Sequence, residues 1–94
     1  MICVYYVNGV GRTRFGILDK SIDELASEAV FNSLQDAELN PDKIGAIVVS
    51  NFNSGFFEGQ LHLGSLISGF FDHTPPAFRI EAACASGAVA FYQA

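Results

Sequence analysis

The spacing of apolar and polar positions changes several times along the chain, and each change marks an expected element. Residues 2–7 (ICVYYV) form a β-branched and aromatic run that ends at Asn8-Gly9, which predicts a strand entering a turn. After a glycine-containing loop, residues 21–24 (SIDE) fit a capping box at the start of a helix. Apolar residues follow at three- and four-residue spacing to Ala37, which predicts one amphipathic helix that closes before Asn40-Pro41.

The second half of the chain is more continuously apolar. Residues 44–49 (IGAIVV) have the composition of a parallel strand covered on both faces. Residues 61–71 (LHLGSLISGFF) predict a helix weakened by two glycines. Residues 77–83 alternate between apolar and polar side chains, which predicts a strand with one polar face at an edge or an interface. From about Cys84 the chain is apolar on nearly every side of a predicted helix, which is typical of a helix buried all round.

The order of these elements predicts an α/β fold. Three strands, each followed by a helix, form the βαβαβα part of a parallel sheet with right-handed crossovers and helices on both faces. Half of the 94 residues are hydrophobic, which is more than so small a body can comfortably bury. The last helix reaches Ala94 without a C-cap. We therefore expect residues 1–94 to be the N-terminal part of a larger domain, whose remainder covers this helix.

Charge and composition argue against several classes of function. Ten acidic against five basic residues give a formal charge of −5 without a basic stripe, which argues against nucleic-acid binding. The longest uncharged stretch, residues 44–57, is too short and too polar to span a bilayer. The apolar opening lacks the flanks of a signal peptide. We expect a cytoplasmic protein with no membrane partner, in which Cys3 and Cys84 are thiols and not a disulfide.

Cys84 stands where the last predicted strand meets the last predicted helix, among small residues. The unpaired amides and positive dipole end of a helix start favour a thiolate, so the position suits a nucleophile. Small neighbours leave room for a substrate carbonyl, whose oxygen would accept hydrogen bonds from backbone amides there. The candidate substrate-binding residues are Ala85, Ser86 and Gly87. On spacing alone, a small buried hydrophobe is the commoner role of a free cysteine, and it stays open.

Other candidate groups carry weaker signals. His62 is a conceivable general base, but packing or a surface hydrogen bond is the simpler role. His73, just before a proline pair, is most simply a turn residue. Two histidines and two distant cysteines lack metal-ligand spacing, so no metal is expected. Cys3 lies within a predicted central strand and is expected in the core.

The glycines after the first predicted strand match only part of a dinucleotide-binding loop. Gly9-Val10-Gly11 follows a strand, but Arg14 stands in place of the third glycine and no helix begins there, so this signal fails. Arg12 and Arg14 would meet an anionic ligand or a carboxylate across an interface, or they are solvated loop charges. The sequence leaves these alternatives open.

Four segments together resemble a known family. They are VYYVNGVGRTRFG, SIDELASEAVFNSLQDAELNPDKIGAIVVSNF, GQLHLGSLISGFF and PAFRIEAACASGAVAFYQA. The chain resembles the N-terminal part of a thiolase, in the acetyl-CoA acetyltransferase and sterol-carrier-protein-like branch, and EAACASG is the most specific segment. The resemblance implies that Cys84 takes the acyl group from a thioester. It also implies that the preceding strand pairs with its two-fold mate in a dimer, and that the following helix lies in the middle layer of a five-layer fold.

The same resemblance implies a reaction and its participants. Two acetyl-CoA molecules are interconverted with acetoacetyl-CoA and CoA, with the coenzyme A thioester as substrate and no separate cofactor. The activating histidine, the second acid/base group and the oxyanion-hole side chain of a thiolase come from its C-terminal half, so residues 1–94 alone are expected to be inactive. A homo-oligomer, dimeric or tetrameric, is implied. Archaeal relatives of this branch associate with a synthase and a small zinc-ribbon protein, which are therefore candidate partners.

Two alternatives to a thiolase stay open. The first is another condensing enzyme of the thiolase superfamily, such as a hydroxymethylglutaryl-CoA synthase or a ketoacyl carrier-protein synthase. The second is a non-catalytic thiolase-like subunit that scaffolds a complex. The sequence disfavours the scaffold only because it keeps Cys84 in a setting of small residues.

Overall fold

A computed structural model describes residues 2–94 of the chain. The chain divides into two compact units, one ending at Pro41 and the other comprising Asp42–Ala94. The first unit contains one long helix. The second contains a small parallel sheet with its helices. No helix in the described range is long and apolar enough to cross a membrane.

The long helix of the first unit, α1, spans Ile22–Ala37, as its apolar spacing predicts. Its N-cap is Ser21, whose hydroxyl accepts a hydrogen bond from the Glu24 N–H at 3.2 Å, so the hydroxyl half of the predicted capping box is present. The helix ends at Glu38, which adopts a left-handed conformation with φ 55°. The helix therefore stops before the Asn-Pro pair, and the predicted boundary is confirmed.

The strand predicted at residues 2–7 is absent. These residues form no strand, and most of their side chains are exposed, with Ile2 90%, Tyr5 87% and Tyr6 80% accessible. A β-branched run becomes a strand only where a neighbour completes its hydrogen-bond ladder, and no described residue pairs with this segment. Cys3 is consequently exposed. Its predicted place in a central strand of the core is wrong for the described chain.

Gly9 and Gly11 have a packing role against α1. A Cβ atom built on Gly9 would lie 2.7 Å from the Cβ of Ala37, and one on Gly11 would lie 2.5 Å from the backbone nitrogen of Ser33. Between them, the Val10 N–H donates to the Asp36 carboxylate at 2.9 Å. The glycine pair thus lets the backbone lie directly on the helix, which supports the rejection of a dinucleotide loop.

The second unit is built on two parallel strands. After a 3₁₀ turn at Pro41–Lys43, the elements are β1 (Ile47–Ser50), α2 (Ser54–Glu58), α3 (Leu63–Ser68), β2 (Ala77–Ile80) and α4 (Ser86–Gln93). The strands β1 and β2 pair in parallel, with Ile47 opposite Ala77 and Ser50 opposite Ile80. Both α3 and α4 pack against the two strands. The predicted α/β class with a parallel sheet is confirmed.

Several predicted boundaries in this unit need correction. Helix α2 lies in a segment that the sequence predicts as a loop. The helix is a single turn that ends at Gly59 in a left-handed conformation, and one turn is too short to show an apolar period in the sequence. The helix predicted at residues 61–71 is limited to α3. The strand predicted at residues 77–83 ends at Ile80, because the chain turns there toward α4.

The core of this unit is small and one-sided. Its buried apolar side chains are Leu63, Ile67, Phe71 and Ala90. Helix α4, predicted to be buried all round, buries only Ser86 and Ala90, while Phe91 and Tyr92 are exposed. In the described chain only one face of this helix has a partner, so its apolar composition does not lead to complete burial.

The connection from α3 to β2 is fixed by two side chains. The buried Ser68 hydroxyl donates to the Pro75 carbonyl at 2.6 Å. The His73 Nε2 atom lies 2.8 Å from the Ile44 carbonyl oxygen, and its ring meets that of Phe71 edge-on. His73 is therefore a turn residue with a structural contact, as predicted.

We expect Gly9→Ala to destabilise the protein by about 1–3 kcal/mol, since the added methyl group must displace the backbone from α1. Gly45→Ala is the matched control, because nothing lies within 4 Å of its added Cβ. Urea unfolding of both variants tests this. Equal unfolding midpoints for the two variants would show that Gly9 does not pack closely on the helix.

Candidate active site

The carboxyl ends of β1 and β2 lie side by side, since the strands are parallel and in register. In open α/β sheets this edge is where ligands usually bind. Strand β1 ends at Ser50 and β2 ends at Ile80. Residues 81–85, here called the cysteine turn, then connect β2 to α4.

The backbone of the cysteine turn doubles back tightly. The Ala85 N–H donates to the Ala82 carbonyl at 2.9 Å, and the Ser86 N–H donates to the Ala83 carbonyl at 3.1 Å. Ala83 has φ 49°, a left-handed conformation that costs a non-glycine residue about 1–2 kcal/mol. Cys84 follows it and is exposed, so within residues 2–94 it is not a small buried hydrophobe. Helix α4 begins two residues later than the cysteine.

Two side chains hold this turn. The Ser86 hydroxyl accepts from the Ala82 N–H at 2.8 Å and donates to the Ala83 carbonyl at 2.7 Å. The Glu81 carboxylate accepts from the Ala83 N–H at 2.6 Å. The sequence predicts Ser86 as a substrate-binding residue from its small size and its place at the helix start, and this role stays a prediction. In the structure its hydroxyl bridges two backbone groups of the cysteine turn, an arrangement in which a serine side chain competes with regular backbone hydrogen bonding.

The predicted substrate-binding residues differ in the backbone donors that they leave available. The amides of Ala85 and Ser86 are used within the cysteine turn. Gly87 is the second residue of α4 and has no acceptor within the helix for its N–H. No backbone acceptor outside α4 serves it within residues 2–94, and nothing lies within 4 Å of an added Cβ there. Among the three residues, Gly87 is the one with an open backbone donor.

Arg79 links the two strand ends. Its Nη2 atom donates to the Asn51 carbonyl, just after β1, at 2.8 Å. Its Nε atom is buried and finds no partner among the described residues, and the same holds for the hydroxyl of Ser54, whose residue is 1% exposed. The two polar residues predicted on one face of the last strand thus have different contacts. Arg79 hydrogen-bonds to the residue that follows β1, and Glu81 hydrogen-bonds within the cysteine turn. Its pairing with a two-fold mate stays a prediction.

Neither histidine hydrogen-bonds to the cysteine turn in the described range. His62 precedes α3, and its backbone N–H donates to the Gln60 side chain at 2.7 Å. His73 contacts Ile44. No base for Cys84 is therefore supplied by hydrogen bonding within residues 2–94. The same range holds no group of three His, Cys, Asp or Glu residues arranged to bind a metal ion.

The two arginines of the first unit are not assigned a ligand. The Arg12 guanidinium lies over the Phe15 ring, 5.3 Å from its centroid, which is a cation–π contact. This contact does not decide whether Arg12 also meets an anion. The role of Arg14 stays as open as the sequence left it.

A family model for the thiolase N-terminal domain matches residues 5–94. The chain belongs to the thiolase family. The match includes α1, both strands and the cysteine turn. It confirms the family expected from the EAACASG segment and its neighbours.

Curated relatives of this thiolase chain agree. It is 41% identical over 86 residues to an acetyl-CoA acetyltransferase of Methanothermobacter thermautotrophicus. The aligned residues cover 89% of the chain and 22% of that relative. It is 40% identical over 88 residues to an acetyl-CoA acetyltransferase of Methanocaldococcus jannaschii, covering 92% and 22%. The BbsB subunit of benzoylsuccinyl-CoA thiolase from Thauera aromatica is 31% identical, covering 95% and 23%. The chain thus spans less than a quarter of the length of these relatives.

The left-handed conformation of Ala83 in this thiolase chain leads us to expect that a glycine substitution there is stabilising. Ala83→Gly removes the left-handed penalty, whereas Ala88→Gly, at an exposed position within α4, only adds backbone freedom to the unfolded state. We expect Ala83→Gly to be more stable than Ala88→Gly by about 1 kcal/mol. Denaturant unfolding of the two variants measures the difference. If Ala83→Gly is the less stable variant, the left-handed conformation is not present in solution.

Proposed function

We propose that the protein carrying this chain is an acyl-CoA C-acetyltransferase that forms or cleaves acetoacetyl-CoA, or another 3-ketoacyl-CoA, through an acyl-enzyme on Cys84. The observation that carries the proposal is the exposed thiol at the turn between β2 and α4, in a chain that belongs to the thiolase family. The names of the two archaeal relatives support acetyl-CoA as the substrate.

The chemistry proceeds in two steps. The Cys84 thiolate attacks the thioester carbonyl of acetyl-CoA, a bond forms between sulfur and the acetyl carbon, and CoA leaves as a thiolate that takes a proton. In the synthetic direction, the carbanion of a second acetyl-CoA then attacks the acetyl group and releases Cys84. In the degradative direction, the Cys84 thiolate attacks the 3-keto carbonyl of the ketoacyl-CoA, the carbon–carbon bond breaks, and the acetyl-CoA carbanion that leaves takes a proton. A CoA thiol then gives up its proton, takes the acyl group and releases the cysteine thiolate. This division replaces one difficult step by two easier ones.

The open end of α4 supports the first step. The Gly87 N–H and the positive end of the helix dipole favour a carbonyl oxygen that gains negative charge beside Cys84. The small size of residues Ala85 and Gly87 leaves space for the thioester. The hydroxyl of Ser86 is already engaged in the cysteine turn, so its contribution to binding is positional.

Other groups complete the proposed site. A base for Cys84, a second acid/base group and an oxyanion-hole side chain come from parts of the protein outside residues 1–94, so the 94-residue chain alone is inactive. Coenzyme A acts as substrate, and no separate cofactor takes part. A homodimer or homotetramer in the cytoplasm is part of the same proposal, and a synthase and a zinc-ribbon protein are its candidate partners.

Intact-mass spectrometry of the complete protein with acetyl-CoA tests the proposal. We expect the protein to gain one acetyl group that maps to Cys84, and the Cys84→Ala variant to gain none, because the nucleophile is lost. Cys3→Ala removes the other exposed thiol of residues 2–94 and is the matched control, which should be acetylated like the unmodified protein. An acetyl group on a different residue, or none on the unmodified protein, would overturn the acyl-enzyme.

A further inference from the structure

We propose that Ser86 and Glu81 are positioning residues that hold the Cys84 thiol in the orientation required for acyl transfer. The inference rests on the proposed function and deepens it, since it assigns two residues that orient the nucleophile without contacting the substrate. It is carried by the three side-chain hydrogen bonds of the cysteine turn.

The Ser86 hydroxyl bridges the chain across Cys84. It lies two residues after the cysteine, and its partners are the N–H of Ala82 and the carbonyl of Ala83, both before the cysteine. The residue is only 6% exposed, so these hydrogen bonds are shielded from competing water. The hydroxyl uses both its donor and an acceptor site, and it therefore ties the start of α4 to the residues that follow β2.

The Glu81 carboxylate holds the same turn from the strand side. It accepts from the N–H of Ala83, the residue in the left-handed conformation. Such a conformation persists only where the surroundings over-determine it. Ser86 holds the carbonyl of Ala83 and Glu81 holds its N–H, so both peptide groups of the strained residue are fixed. The peptide bond that leads into Cys84 cannot rotate without breaking one of these bonds.

Acyl transfer and simple alkylation place different demands on this thiol. Attack on a thioester requires the sulfur, the carbonyl carbon and the oxyanion donors to be aligned, and a displacement of about 1 Å can lower the rate about 100-fold. Alkylation by iodoacetamide requires only an accessible thiolate. A positioning role therefore lowers the acetylation rate far more than the alkylation rate.

The experiment compares these two rates in the complete protein with Cys3→Ala as background, and peptide mass spectrometry follows the modification of Cys84 itself. Ser86→Ala removes both hydroxyl hydrogen bonds, and we expect its acetylation by acetyl-CoA to be about 10- to 100-fold slower, with iodoacetamide alkylation nearly unchanged. Ser68→Ala is the matched control. Ser68 is 8% exposed, and its replacement removes one hydrogen bond from its hydroxyl to the Pro75 carbonyl, in the connection from α3 to β2. We expect it to keep both rates.

Glu81 provides a second pair of variants that does not depend on the folding of Ser86→Ala. The side chain is exposed, so its replacement leaves the core intact. Glu81→Ala loses the acceptor for the Ala83 N–H, whereas Glu81→Gln keeps an oxygen in its place. We expect slower acetylation in Glu81→Ala and rescue in Glu81→Gln, with alkylation nearly constant in both.

The outcomes separate the two proposals. If the background protein is acetylated on Cys84 and Ser86→Ala and Glu81→Ala are acetylated equally fast, the positioning role is wrong and the proposed function stands. If Ser68→Ala slows acetylation as much as Ser86→Ala, the effect is a general loss of structure and the positioning role is overturned. If the background protein takes no acetyl group, the proposed function fails and the inference falls with it.

Discussion

The parallel pairing of β1 with β2 is the constraint on which the second unit depends. Because the strands run in the same direction and in register, their carboxyl ends meet at one edge, where Arg79 connects β2 to the chain leaving β1. Both α3 and α4 use these strands as their packing surface. The first residue of the cysteine turn directly follows the end of β2. Without the strand pairing, the position of this turn would therefore not be fixed.

Around Cys84, residues that share a small size have different physical tasks. Ala83 adopts a conformation that glycine would adopt more easily, and Ser86 supplies the hydrogen bonds that keep it there. The amides of Ala85 and Ser86 close the turn, whereas the amide of the following residue, Gly87, stays open. The small residues around Cys84 therefore have separate roles: one adopts a strained conformation, one supplies hydrogen bonds, and one leaves a backbone amide open.

The parts of the structure that were predictable from sequence are those fixed by local interactions. Helix α1 has both a periodic apolar stripe and a serine cap, and each is encoded within a few residues. Residues 2–7 have strand composition but lack a pairing partner, and pairing is a non-local property. Cys84 was identified by its position and by family resemblance. The bridging role of Ser86 was missed, since small size says nothing about where a hydroxyl points.

The hydrogen bonds of Ser86 and of Glu81 contribute differently to the stability of the cysteine turn. A neutral hydrogen bond contributes about 0.5–1.5 kcal/mol, but an unpaired buried partner costs about 1–3 kcal/mol. Ser86 is buried and serves two backbone groups, whereas Glu81 is exposed and water can replace its oxygen. The left-handed penalty of Ala83 is of the same order as the Ser86 contribution alone. The serine therefore contributes more than the glutamate to holding the conformation of the turn.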